Sequence, residues 1–188
     1  MTTLADVLLG ISRAIGDGVS GSAAIDQALM IKCTNQALDM MSIPDWDEST
    51  TVTDDTLRYA LPAGVSQVRR VEIGTHTDGW KEHRWWREED GYLMFYKNEP
   101  TDTDDTIRIL YAKKHTTLTA TTDTIDPAVP FSRLVAEAVL NCLTFRRFQV
   151  GTDEPRLDDL IKRYDQIVMI ERNKHPMVVK YADTYATW

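Results

Sequence analysis

The sequence predicts an α+β fold: a four-helix bundle with a helical hairpin at each end of the chain, a small antiparallel β-sandwich or barrel insert, and an extended C-terminal tail. Three observations lead there. Apolar residues recur with a helical period over residues 4–41 and 131–175. Between about 50 and 118 that period disappears, and short alternating runs separated by turn dipeptides replace it. Residues 177–188 follow neither pattern of a capped helix nor that of a polar, solvating end.

The first helix is expected over residues 4–15. Leu4, Val7, Leu8, Ile11 and Ile15 fall on one face, Asp6 suits the first turn, and Gly16-Asp17-Gly18 ends the run. A second helix is expected over 23–41, with Ser22 as N-cap, Asp26 favouring its start, and Pro44 as its stop. Ile25, Leu29, Cys33, Ala37 and Met40 line its apolar face.

Strands are expected at 57–61, 67–73, 80–86, 92–96 and 106–111. Asp78-Gly79 and Asp90-Gly91 mark hairpin turns, because this dipeptide tolerates the left-handed backbone a tight turn needs. Threonine clusters at 50–56, 101–106 and 116–124, which suits strands and their edges. A third helix follows Asp126-Pro127 and Pro130, with Ser132 as N-cap and Phe131 as a staple. Leu134, Val135, Ala138, Val139, Cys142 and Leu143 form its stripe. A fourth opens at Thr152-Asp153-Glu154-Pro155 and closes at Pro176. The expected organisation is a helical bundle from 1–45 and 126–175, a β insert at 46–125, and a C-terminal arm at 176–188.

Composition narrows the function. The chain has 188 residues and a net charge of −8, which argues against a protein that binds duplex DNA by neutralising phosphates. Residues 1–62 carry −6 of that charge. No apolar run reaches the ~18–20 residues of a membrane span, and the first residues lack the basic region of a signal peptide. Cys33 and Cys142 are too few and too distant in sequence for a disulfide framework or a zinc knuckle, and each falls in a helical apolar stripe. A reducing, cytoplasmic setting is expected.

Catalytic signatures are not found. There is no Gly-rich phosphate loop, GxSxG, HExxH or CxxC. His76 and His83 are placed to approach across a hairpin, without a further ligand at metal spacing; neither metal nor cofactor is expected. The acidic groups at 45–48, 54–55 and 102–105 read as solvated turns rather than a carboxylate pair for sugar hydrolysis. Trp80, Trp85 and Trp86 are the candidate contact face of the β insert. Arg146 and Arg147 either offset the helix dipole or meet an acidic neighbour. Met177, Val178, Val179, Tyr181, Tyr185 and Trp188 make the tail a candidate partner-binding segment, since a lone short strand of this kind is unstable in water.

The layout resembles the head-to-tail adaptor (connector) proteins of tailed bacteriophages. The residues that carry the resemblance are Ile43-Pro44-Asp45-Trp46, then Leu57 through Gly64 and Val68-Arg69-Arg70-Val71. Gly91-Tyr92-Leu93-Met94-Phe95, the run Ile107 to His115 with Leu118, and the Asp126-Pro127 entry to an alanine-rich helix complete it. The pattern spans roughly residues 1–175. The resemblance implies a non-enzymatic virion protein at the head–tail interface, made in the host bacterial cytoplasm. It implies a homo-oligomeric ring, commonly of twelve copies, docked on the portal protein and receiving the next tail protein. Genomic DNA would pass its lumen without sequence-specific binding, and an acidic wall would keep DNA from adhering. No membrane partner is expected. Two other expectations stand beside it: a tail-completion or tube-ending protein, and a β-module that binds sugar or peptide.

Overall fold

The computed structural model describes residues 1–16, 25–96, 100, 102–150 and 155–176. They divide into two compact units, a helical one from 1–42 and 115–176 and a β one from 43–114.

The helical unit contains α1 (Leu4–Ile15), α2 (Gln27–Asp39), α3 (Phe131–Val150) and α4 (Pro155–Lys174). A capping box starts α1: Thr3 accepts from the Asp6 amide and the Asp6 carboxylate accepts from the Thr3 amide. Two further amides of the first turn, Leu4 and Ala5, donate to the carbonyls of Asp123 and Thr121. The Thr-rich stretch at 116–124 is therefore the cover of α1, tied by an isolated bridge between Thr3 and Thr124. Leu118, Ile125 and Val129 are buried there. This is why the units part at 42/43 and 114/115, whereas turn signals place the boundaries at 45/46 and 125/126.

The expected fold class needs correction. Among the described residues the chain is α+β with four helices, two N-terminal and two C-terminal, and two antiparallel sheets, one of four strands and one of three. It is not a four-helix bundle with a small β insert. A bundle closes when each helix packs on two neighbours round a shared core. Here α3 is the hub, packing against α1, α2 and α4, while α1 also meets α2. Between α4 and α1 the contact is slight, including Tyr164 Oη donating to the Ala14 carbonyl at 3.3 Å. Stripes at a helical period show that each helix buries a face, but not against which partner.

Smaller corrections follow from the same contacts. Asp26 is the N-cap of α2, accepting from the Leu29 amide at 2.7 Å, and α2 ends at Asp39 rather than before Pro44. Ser22, residues 152–154 and the tail lie outside the described residues. Ser132 does not cap α3, which starts one residue earlier; its hydroxyl donates to Glu171 of α4. Phe131 is in the first turn of α3, beside Gly10 of α1.

In the β unit, β1 (Ile43–Thr51), β3 (Val65–Thr75), β4 (Gly79–His83) and β7 (Thr106–Lys113) form a sheet in the order β1-β7-β3-β4. A second sheet, β2-β6-β5, comprises β2 (Arg58–Ala60), β6 (Tyr92–Phe95) and β5 (Trp86–Glu89). The hydrophobic core draws on both sheets: Val68, Val71, Ile107 and Ile109 from one, Tyr59, Leu93 and Phe95 from the other. Asp90 and Gly91 both take positive φ and pair Glu89 with Tyr92 across a two-residue turn. The strand expected at 80–86 is interrupted at Arg84-Trp85 and contributes to both sheets.

The first strand, IPDWDESTT, was not expected. Proline and acidic residues disfavour strands, but an edge position tolerates Pro44, and β7 supplies partners for the carboxylates. Lys113 Nζ lies 2.7 Å from Asp45 Oδ2, and this hydrogen bond holds the Asp45 carboxyl below the usual range.

Gly74 marks the tightest point of this sheet. It has φ +151, and a Cβ there would lie 2.2 Å from the carbonyl oxygen of Gly79 on β4. Gly74→Ala is expected to destabilise the β unit by about 1–3 kcal/mol, because the clash is with backbone. Urea unfolding followed by tryptophan fluorescence measures it, and an unchanged midpoint contradicts it.

Candidate functional site

The four-stranded sheet buries Ile107, Ile109 and Tyr111 on one face, so alternation sends Arg108 to the other. Register then gathers a cluster around it. Glu72 stands opposite Arg108, Trp46 opposite Leu110, and Trp80 opposite Gly74. The Arg108 guanidinium carbon lies 4.1 Å from the Trp46 ring centroid and 5.2 Å from that of Trp80, both cation–π contacts. Its Nη1 donates to Glu72 Oε2 at 3.4 Å. Its Nε is 2.8 Å from Glu48 Oε1; this is an ion pair by distance, but the N–H does not point at that oxygen. Glu72 also pairs with Arg70 at 2.6 Å, and His76 joins Glu48 at 3.2 Å with its ring edge-on to Trp80.

This cluster is an aromatic and charged face whose parts engage one another. A sugar platform needs an open aromatic face, and here the guanidinium stacks on both rings. Both carboxylates are likewise neutralised by arginine.

The three tryptophans expected as one contact face are not brought together. Trp80 belongs to the Arg108 cluster, Trp86 packs against the core of the β unit, and Trp85 stands edge-on to Tyr96 with 6.1 Å between centroids. Trp46 was missed as a member of the cluster because its strand was not recognised; its register against Leu110 is the signal. His76 and His83 take different partners, His83 standing edge-on to Phe95 at 4.9 Å. His115 holds a loop, with Nδ1 2.7 Å from the Thr116 carbonyl and Nε2 accepting from the Asp126 amide at 3.0 Å. Among the described residues, no three His, Cys, Asp or Glu side chains are grouped to hold a metal, and no helix is long and apolar enough to cross a membrane.

On the helical unit the arginine doublet splits. Arg147 forms an ion pair with Asp158 of α4. Arg146 is only 3% exposed, and its Nε and Nη1 are buried without a hydrogen-bond partner among the described residues. One turn back, Cys142 meets Cys33 of α2, both buried. Hydrogen bonding to Cys142 lowers the Cys33 pKa, and the same bond together with burial pushes Cys142 well up.

Two other features of this unit are surface-exposed. Phe148 is 86% exposed, Met169 62% and Ile170 52%, with Phe145 on the same face of α3 as Phe148. An open groove of about 540 Å³ runs along α2, lined by Ile31, Lys32, Asp39 and Thr117 among others. Asn35 contributes to its lining and exchanges two 2.9 Å hydrogen bonds with the Leu118 backbone. The tail residues Met177, Val178, Val179, Tyr181, Tyr185 and Trp188 lie outside the described residues.

The sequence matches no protein-family model and no curated protein.

Proposed function

We propose that this chain is a structural virion protein, the ring that joins the portal of a phage capsid to the tail. The observation that carries the reading is that the helical unit leaves large apolar side chains exposed at both ends of the α3–α4 pair, Phe148 at one and Met169 with Ile170 at the other. Large apolar side chains at this exposure are features of surfaces that become covered by partners. The buried Arg146, whose Nε and Nη1 have no hydrogen-bond partner among the described residues, supports it, as a charge that an acidic neighbour would satisfy. So does the sequence layout over residues 1–175, with the apolar run that follows it.

In this reading the partners are other copies of the chain, the portal protein and the next tail protein, with DNA passing through the lumen. The net charge of −8 suits passage without adhesion, since like charges repel across a water-filled channel. The Arg108 cluster is then a stabilising face of the β unit rather than a ligand site, because its aromatic rings are already stacked by the guanidinium.

Native mass spectrometry and electron microscopy of the full chain, alone and with its portal protein, test this. A twelve-membered ring on the portal is the expected result. A six-membered ring that ignores the portal points to the tail-completion role instead, and a monomer under both conditions overturns both assembly readings.

A further inference from the structure

We infer that copies of this chain join by a heterologous contact, in which the outer face of α4 on one copy receives the acidic end of the β unit of the next. The inference rests on the ring reading above and names its contact surfaces. Segregation of charge along the chain is what carries it. α3 holds three basic and one acidic side chain and α4 five and four, a net of +3, in a chain whose total is −8.

The outer face of α4 is cationic and apolar at once. Arg156, Arg163 and Ile170 recur every seven residues, which places them in one row on a helix, and Lys162 and Met169 form a second row beside it. All five are exposed, while Leu157, Val168 and Glu171 on the opposite face are buried. Among the described residues Arg156, Lys162 and Arg163 take part in no ion pair, unlike Arg172 and Lys174. With Asp159 between the rows, the face keeps a net of +2. Exposed methionine and isoleucine flanked by unpaired cations suit a surface that an acidic partner covers.

The acidic counterpart is assembled by the sheet. β1 ends at Thr51 opposite Thr106, the first residue of β7, and the Val52 amide donates to the Asp105 carbonyl at 2.9 Å. The turn after β1 and the turn before β7 therefore leave the sheet at the same end, although they are far apart in sequence. One carries Asp54 and Asp55, the other Asp102, Asp104 and Asp105, and neither contains a basic residue. Asp54 accepts from the Asp55 amide and Asp102 from the Asp104 amide. Among the described residues none of the five forms an ion pair.

A second copy is the occupant these charges select. Copies that carry −8 each repel one another overall, so association needs faces of opposite sign. Two complementary patches on one chain make a contact that repeats from copy to copy until a ring closes.

Native mass spectrometry of the full chain, with and without the portal protein, tests this with two charge-reversed forms. One carries Arg156→Glu, Lys162→Glu and Arg163→Glu. The other carries Asp54→Lys and Asp104→Lys, sparing Asp55, whose φ is +56, and Asp102 with its turn bond. Each form alone is expected to assemble about a hundredfold more weakly than the native chain, because like charges then face each other. An equimolar mixture is expected to restore assembly with the two masses in equal numbers, since alternation puts opposite charges at every contact. Salt is expected to weaken native assembly by screening exposed charges. A reversed form that assembles like the native chain, or a mixture that does not recover, overturns the inference and leaves the ring reading in place. So does native assembly that salt leaves unchanged or strengthens, which decides the matter even if a reversed form folds poorly. A native chain that is monomeric under both conditions overturns the ring reading and the inference with it.

Discussion

Arg146→Met raises the unfolding temperature of the helical unit. The guanidinium is a charged group with donors and no acceptor, so only a partner or water can satisfy it. Its Nε and Nη1 have lost water and gained no partner among the described residues, and each unsatisfied donor costs about 1–3 kcal/mol. Methionine matches the unbranched stem and fills irregular space without a polar group. A gain of about 1–3 kcal/mol is therefore expected, which at this chain length is roughly 2–4 °C per kcal/mol. Differential scanning calorimetry measures it. A fall in the midpoint means that Arg146 is satisfied in solution and contradicts the account. The same variant separates stability from assembly: if a neighbour's carboxylate meets Arg146 in the ring, the more stable protein is the poorer ring former.

Glu137→Gln has the opposite sign and a larger size. Glu137 is 3% exposed, and its Oε1 accepts from Arg133 Nε at 2.9 Å and from Arg172 Nε at 3.1 Å. Arg133 also donates to the His175 carbonyl at 2.7 Å, so one carboxylate organises both the α3–α4 contact and the end of α4. Glutamine keeps the shape and removes the charge, leaving a buried guanidinium without its counterion. Removing one member of a buried pair costs about 3–5 kcal/mol. Arg172 is nearly half exposed, so Arg172→Ala should cost less than about 1 kcal/mol. Far-UV circular dichroism in urea compares the two. Equal losses would mean that the buried Arg133 contact is not the dominant part of the network, and a loss below about 1 kcal/mol for Glu137→Gln would remove the network from the account.

Those two arginines show how far the sequence could be read. Arg146 and Arg147 are adjacent and chemically identical, and a dipole argument treats them alike. One turns outward to Asp158 and the other turns into the unit, a difference set by the rotation of α3 against its neighbours. Glu137 gave no signal, since an acidic residue in a helix is usually solvated; burial became visible only with Arg133 and Arg172 in place. Cys33 and Cys142 were legible as buried, each in an apolar stripe, but not as neighbours.

In the β unit, β7 was readable from alternation, and β6 from the Asp90-Gly91 turn dipeptide that precedes it. β1 was not, because its strand character is supplied by β7 through Lys113 and Arg108 rather than by its own residues. The Arg108 cluster was half visible for the same reason, with Trp80 noticed and Trp46 not.

What the sequence by itself determined is therefore local: which segments bury a face, where α1 lies, and where tight turns fall. These depend on periodicity and on a few residues' backbone preferences, both of which act within a dozen positions. The arrangement of helices around α3, the division of the strands into two sheets, and which buried charges find partners were decided by tertiary structure. Partner choice depends on shape and charge brought together from distant positions, as with Glu137, Arg172, Cys33 and Cys142, and no local pattern encodes it.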